Sequence, residues 1–340
     1  MMMSNQIKEI SRKVLSDAIF RYFYKGKFPN TKQIPLDLLW EKERRIYSTL
    51  HGLVTSLGTT LWQELAKKIA EEIGGFTVLD PKNLEQPVNV EKAHRLIHFW
   101  EEQRNKRGSN IELTDFINEL KKAFPNPALP SEKYEKLTKS LGVDLLLSKN
   151  GNEWGIESKT VQLNSGGGLE FNSKLMKWYA YRYSQRGSGH NFQAFVAIPY
   201  NPYHQPWFVE EQGRIHPLTT NDVKVQEEYW DFLSSRTKTW ESIVEGFKQI
   251  AADEKLMLLY QEALSKPPNN FIAQVLSQQI ECELITEILD AKPRSQSLRW
   301  RCYACKCEFD GSLNQIRPAI LTAERKIIKC PSCLRPFNLS

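Results

Sequence analysis

The sequence predicts an α/β (α+β) protein in which helices flank a mixed β-sheet and a small cysteine-rich domain follows. A two-stranded hairpin is expected over residues 142–161, and the continuous apolar run at 192–200 is typical of a strand buried on both faces. Five of the six cysteines fall in the last 40 residues. Helical periodicity is evident in much of the remaining chain.

Length and composition suggest more than one domain. The chain has 340 residues, of which 41% are hydrophobic. We expect a main domain with a helical N-terminal region over 1–250, a helical connector over 251–295 and the cysteine-rich domain over 296–340. No apolar run has the length of a membrane span and the N-terminus lacks the apolar core of a signal peptide, so we expect a cytoplasmic protein without a membrane partner.

The hairpin is centred on Asn150-Gly151. Asn-Gly is a strong hairpin signal, because both central residues of a type I′ turn need positive φ. A two-residue turn pairs Lys149 with Asn152 and places Asp144 opposite Glu157. Since side chains alternate along a strand, one face is predicted to be apolar. That face comprises Val143, Leu145, Leu147, Trp154 and Ile156.

The other face of the hairpin carries Asp144, Glu157 and Lys159. Like charges opposite each other destabilise a strand pair, and a divalent cation would relieve the repulsion. The two carboxylates and the backbone carbonyl of Ser158 form an oxygen site suited to Mg²⁺. Lys159 is placed to orient or activate a water, or to neutralise charge on a phosphate. The alternative is an ordinary amphipathic hairpin with surface charges.

Asp144, followed across the hairpin by Glu157-Ser158-Lys159, resembles the PD-(D/E)xK nuclease superfamily. The stretches KTVQLNSGGGLEFN and LMKWYAYRY, and the strand ending IPYNPY, look like type II restriction endonucleases that cut a short G/C-rich site with a variable centre. The resemblance covers roughly residues 40 to 215, although Val143 stands where the superfamily often has Pro.

This resemblance implies a restriction-endonuclease-like core that hydrolyses double-stranded DNA with catalytic Mg²⁺. Its catalytic residues would be Asp144, Glu157 and Lys159. Cutting both strands of a palindrome needs two active sites, so a homodimer is expected. The resemblance also implies a restriction-modification system whose methyltransferase acts on the same site and need not bind the nuclease. Two alternatives stay open, namely a repair, structure-specific or modification-dependent nuclease, and a non-catalytic nucleic-acid-binding protein.

Further site residues are expected on two helices. Thr59 or Thr60 is a candidate cap of a helix that runs to Ile73, and Glu64 in its first turns matches a carboxylate that the superfamily often lends to the metal. The alternative is a first-turn Glu favoured by the helix dipole. A later helix starts near Asn172, and its basic residues interleave with aromatics as in nucleic-acid grooves. The candidate DNA contacts are Lys174, Lys177, Arg182 and Arg186.

The C-terminal cysteines have the spacing of a zinc ribbon, with CYACKC at 302–307 and CPSC at 330–333. The predicted ligands of a structural Zn²⁺ are Cys302, Cys305, Cys330 and Cys333. Cys307 is a fifth thiol that replaces Cys305 or stays free. Residues 292–340 hold ten of the 46 Lys and Arg but three of the 40 Asp and Glu, which favours nucleic acid as a partner over the alternative of protein docking.

Overall fold

The computed structural model of this protein describes residues 2–25, 34–89, 91–106, 111–160, 165–201 and 218–265, with short strands at 298–301, 308–311, 328–329 and 336–337. The chain divides into two units. The first comprises Met1–Ile10 and Gly58–Val244, and the second comprises Ser11–Leu57 and Glu245–Ser340. The boundaries expected at 250 and 295 stay predictions.

Eight α-helices lie within the described residues. They are α1 (Met2–Lys25), α2 (Ile34–Lys68), α3 (Glu91–Arg104), α4 (Leu113–Ala123), α5 (Ser165–Arg186), α6 (Glu227–Ser234), α7 (Thr239–Ala251) and α8 (Glu254–Ser265). Shorter helical turns occupy Ile69–Ile73, Pro81–Asn83, Lys139–Leu141 and Thr220–Asp222. In the described part of the chain, no helix is both long enough and apolar enough to cross a membrane.

The first unit contains a mixed five-stranded sheet with strand order β1-β4-β5-β6-β7. Its strands are β1 (Thr77–Leu79), β4 (Leu145–Lys149), β5 (Asn152–Ser158), β6 (Asn191–Ile198) and β7 (Val223–Val225). Strands β1, β4 and β5 pair antiparallel, whereas β5, β6 and β7 pair parallel. The predicted mixed sheet between helices is therefore confirmed.

The predicted hairpin is also confirmed. Strands β4 and β5 pair in the expected register, with Lys149 opposite Asn152 and Leu145 opposite Ile156. Asn150 and Gly151 both have positive φ, at 51° and 76°, as a type I′ turn requires. The turn sequence therefore sets the register of the central strand pair.

Helix α5 is the crossover between the parallel strands β5 and β6, since parallel neighbours cannot be joined by a tight turn. It packs on one face of β5, where a Cβ on Gly155 would lie 3.4 Å from the Trp178 ring. On the opposite face Trp154 packs edge-on against Phe232 of α6. Both faces of the hairpin are therefore covered, including the face that carries the charged residues.

Helix α2 differs from the prediction. We expected a helix to begin at Thr59 or Thr60, but the chain is already helical there: α2 runs unbroken from Ile34 to Lys68 and continues as a π-helical turn to Ile73. A glycine inside a helix costs only about 1 kcal/mol, which packing readily offsets. At Gly58 a Cβ would lie 3.2 Å from the Thr160 methyl group, so the missing side chain permits close packing.

Three two-stranded sheets complete the described structure. Strands β2 (Glu85–Pro87) and β3 (Tyr134–Lys136) pair antiparallel. Near the C-terminus, β8 (Leu298–Arg301) pairs with β9 (Glu308–Gly311), and β10 (Ile328–Lys329) pairs with β11 (Pro336–Phe337). The predicted zinc ligands Cys302, Cys305, Cys330 and Cys333, and also Cys307, lie outside the described residues.

Replacing Gly151 with Ala should destabilise the protein by about 1–2 kcal/mol, because an L-residue is strained at positive φ. A Cβ at Gly151 would meet nothing within 4 Å, so backbone strain is the expected cause. Chemical denaturation measures the loss. Gly189→Ala is the matched control, since Gly189 also faces open space but lacks a positive φ. Equal denaturation midpoints for the two variants would show that the turn is assigned wrongly.

Candidate active site

Asp144 directly precedes β4 at the open end of the hairpin. Its backbone N–H donates to the Ile156 carbonyl at 3.1 Å, and its Oδ2 accepts the backbone N–H of Ser158 at 2.8 Å. The carboxylate thus accepts a hydrogen bond from a backbone N–H that would otherwise extend the hydrogen-bond ladder between β4 and β5. These two bonds hold Asp144 against the end of β5, while the residue stays partly exposed.

Glu157 lies one residue before the end of β5 and is only 3% exposed. Its Oε2 is 2.6 Å from Nζ of Lys174, and its Oε1 is 3.2 Å from Nζ of Lys159. Burial raises the pKa of the Glu157 carboxyl, and the charge of Asp144 raises it further, whereas the two lysines oppose the shift. The carboxylate is therefore buried, close to a like charge and held by two cations.

Lys159 follows β5 directly and is the more accessible of these two lysines. Its N–H donates to the Ala197 carbonyl at 2.9 Å, which extends the parallel pairing of β5 with β6 by one residue. The side chain is 38% exposed, against 10% for Lys174, and its Nζ lies 4.6 Å from the centre of the Phe171 ring. Lys159 is thus within reach of a molecule in solvent.

The Ser158 backbone completes the arrangement. Within one strand residue the N–H and C=O point toward the same neighbouring strand, and the Ser158 N–H bonds Asp144. The Ser158 carbonyl therefore points toward the Asp144 side, as a shared metal site needs.

Tyr229 of α6 lies beside both Ser158 and Asp144, and burial, together with the charge of Asp144, raises the pKa of its hydroxyl. The sequence contains no local signal for Tyr229.

The donor set fits Mg²⁺. Two carboxylates and one carbonyl are hard oxygen donors, which are the ligands that Mg²⁺ prefers. The structural observation in favour is that the Asp144 carboxylate is bound to the Ser158 N–H at 2.8 Å, next to the buried Glu157, so two like charges lie where a divalent cation would relieve their repulsion. Asp144, Glu157 and the Ser158 carbonyl are accordingly the residues that would hold the metal.

Glu64 is half-buried on α2, within the same unit as this pair. Across the described residues, no three His, Cys, Asp or Glu side chains lie close enough together to hold a metal ion. The structure thus does not unite Glu64 with Asp144 and Glu157 in a three-carboxylate group. The role of Glu64 stays a prediction.

The four basic residues of α5 differ in accessibility. Arg182 is 2% exposed and its guanidinium binds the Glu153 carboxylate, so its charge is paired within the protein, and its DNA contact stays a prediction. Lys174 is likewise buried and paired with Glu157, and its DNA contact also stays a prediction. Lys177 is half-buried and Arg186 is exposed, and both stay candidates. The spacing of the two pairs is regular, since cations eight residues apart on a helix can face carboxylates four residues apart on a strand.

Comparison with known proteins bears on this site. A family model described as "Type II restriction endonuclease, HinfI" matches residues 3–251, which include Asp144, Glu157, Lys159 and Lys174. No curated protein matches the chain, and no solved structure matches it either.

Asp144→Asn should stabilise the metal-free protein by a few tenths to about 1 kcal/mol, because it removes the repulsion from Glu157. The amide oxygen can still accept the Ser158 N–H. Thermal unfolding in a chelator measures the change. Asp222→Asn is the control, since Asp222 is a buried carboxylate whose Oδ2 lies 2.6 Å from Nη2 of Arg104. That variant should unfold at a lower temperature. Destabilisation of equal size in both variants would refute the repulsion.

Proposed function

The chain belongs to the HinfI family of type II restriction endonucleases, and we propose that it cuts double-stranded DNA at a short specific site with Mg²⁺ as cofactor. The family makes the protein a DNA endonuclease. The observation that carries the proposed chemistry is the buried Glu157 carboxylate beside Asp144, with the accessible Lys159 at 3.2 Å from Oε1.

The proposed reaction is hydrolysis of a DNA phosphodiester bond. Asp144, Glu157 and the Ser158 carbonyl would hold Mg²⁺, which when bound supplies Lewis-acid stabilisation at the scissile phosphate. The Lys159 ammonium would orient and help to activate the attacking water, or neutralise the charge that develops on the phosphate. Its partial exposure supports this role, because the ammonium can meet both solvent and substrate.

We also propose that the protein acts as a homodimer. A restriction site that is a palindrome presents the same phosphodiester on both strands, so two active sites are needed for a double-strand cut. The protein would act as a homodimer in a restriction-modification system. The partner methyltransferase would protect the same DNA site, and this needs no contact between the two proteins.

A structural Zn²⁺ is proposed for the C-terminal region. Two CxxC pairs supply Cys302, Cys305, Cys330 and Cys333, a donor set suited to tetrahedral zinc. In support, antiparallel strands flank each pair along the chain, with β8 and β9 around 302–307 and β10 and β11 around 330–333. Four thiolates leave no open position, so the metal would stabilise this small domain rather than act in catalysis.

Incubation with long, unmodified duplex DNA should give discrete fragments with Mg²⁺ and intact DNA with a chelator. Asp144→Ala and Lys159→Ala should each lower the cleavage rate by at least about 10²–10³-fold, because the first removes a ligand of the Mg²⁺ and the second removes positive charge beside the phosphate. Binding should largely survive in both variants. Lys122→Ala is the control, since Lys122 is an exposed lysine of α4 paired with Glu119.

Each outcome of this assay has a meaning. A smear would show a non-specific or structure-directed nuclease. DNA that is retarded but intact would favour a binding protein or an enzyme that needs a modified substrate. Unaltered cleavage by both Asp144→Ala and Lys159→Ala would refute the assignment of the active site.

Metal analysis of the purified protein should find about one zinc per chain, as a single four-thiolate site requires. Cys330→Ser should lose the zinc, whereas Cys282→Ser, outside the two CxxC pairs, should retain it. The zinc content of the Cys305→Ser and Cys307→Ser variants shows which of these two thiols is the ligand. Protein without zinc would refute the ribbon.

A further inference from the structure

Two buried ion pairs join helix α5 to strand β5. Lys174 binds Glu157 at the site, and Arg182, two helical turns further on, binds Glu153. Between them Trp178 packs over Gly155, where a Cβ would approach the ring to 3.4 Å. The two pairs are built alike, but only one includes a carboxylate of the proposed active site.

The surroundings of the two carboxylates differ. Glu153 lies far from the open end of the hairpin, and its second oxygen contacts His190 at 3.0 Å. Glu157 has a different cation on each oxygen. The buried Lys174 is at 2.6 Å from Oε2, and the more exposed Lys159 is at 3.2 Å from Oε1.

Exposure decides which cation can leave Glu157. Moving Lys159 away exposes an ammonium that solvent already reaches, so the cost is small. Moving Lys174 would break an ion pair whose two side chains are 10% and 5% exposed, which leaves buried charge uncompensated. Lys174 also lies 5.2 Å from the centre of the Trp178 ring, which favours its ammonium in this place. Oε1 is therefore the oxygen free to change partners.

We propose that Lys174 is a positioning residue of the active site, which fixes Glu157 through Oε2 so that Oε1 is presented to the metal and Lys159 is released to the substrate. This inference rests on the proposed function. It gives the two lysines separate roles, with Lys174 acting through Glu157 and Lys159 acting on DNA. It also gives a functional reason for the burial of Lys174.

The test compares Lys174→Met with Glu153→Gln, which breaks the equivalent ion pair at the other end of β5. Both variants should unfold at a lower temperature. Lys174→Met should lower kcat for DNA cleavage about 10–100-fold, the usual effect of losing a residue that orients a metal ligand. KM for DNA and equilibrium binding in a chelator should be unchanged if Lys174 acts through Glu157 rather than on DNA. Glu153→Gln should retain the wild-type kcat.

Lys174→Arg should recover most of the lost kcat, because Arg182 already fills the equivalent position against Glu153. If Lys174→Met does not fold, Lys174→Gln replaces it, and the Arg variant must then cut faster than the Gln variant. Equal kcat for these two would overturn the inference.

Other results also discriminate. Equal kcat for Lys174→Met and Glu153→Gln would reduce Lys174 to a structural role and overturn the inference. A raised KM with unchanged kcat would make Lys174 a DNA contact and overturn it as well. Wild-type protein that does not cut DNA with Mg²⁺ would overturn the proposed function and this inference together, whereas the other results leave the function standing.

Discussion

The burial of one carboxylate beside another is the constraint on which the site depends. Glu157 is 3% exposed, and Asp144 raises its pKa from across the hairpin. An uncompensated buried carboxylate would cost several kcal/mol, so the surrounding chain must supply positive charge. It does so from two directions, with Lys159 beyond the end of the same strand and Lys174 on the covering helix. The requirement for these cations explains why charged side chains are buried around β5.

The covering helix meets this requirement through matched repeat distances. Four residues of α-helix rise about 6 Å, and two residues of β-strand rise about 6.6 Å, so every fourth helix residue can face every second strand residue. The helix residues are Lys174, Trp178 and Arg182, and the strand residues facing them are Glu157, Gly155 and Glu153. Because β5 and β6 are parallel, their connection must cross the sheet, and this places α5 over β5.

Other polar contacts fix where α5 lies. Asn172, which is fully buried, accepts a hydrogen bond from Nε of Arg104 at 2.9 Å, and Nη2 of Arg104 lies 2.6 Å from Oδ2 of Asp222. These bonds hold the helix two residues before Lys174. This polar arrangement constrains the structure more than an apolar core would, since each buried charge costs free energy unless its partner is in place. Such demands are typical of sites in which part of the stability is given up for function.

What the sequence by itself determined is the local part of the site. The Asn-Gly turn sets the register of β4 and β5, and the register brings Asp144 next to Glu157, because a hairpin pairs residues that are near in the chain. Only the tertiary structure decided the rest. In the sequence Arg182 and Lys174 resemble surface cations, whereas in the structure both are paired with carboxylates of β5. The sequence around Gly58 suggests a break between helices, whereas in the structure Gly58 lies inside α2 and packs against Thr160. The position of Glu64 relative to the pair likewise depends on packing between elements. Local conformational preference acts over a few residues, whereas these contacts depend on how distant elements pack, which no short pattern encodes.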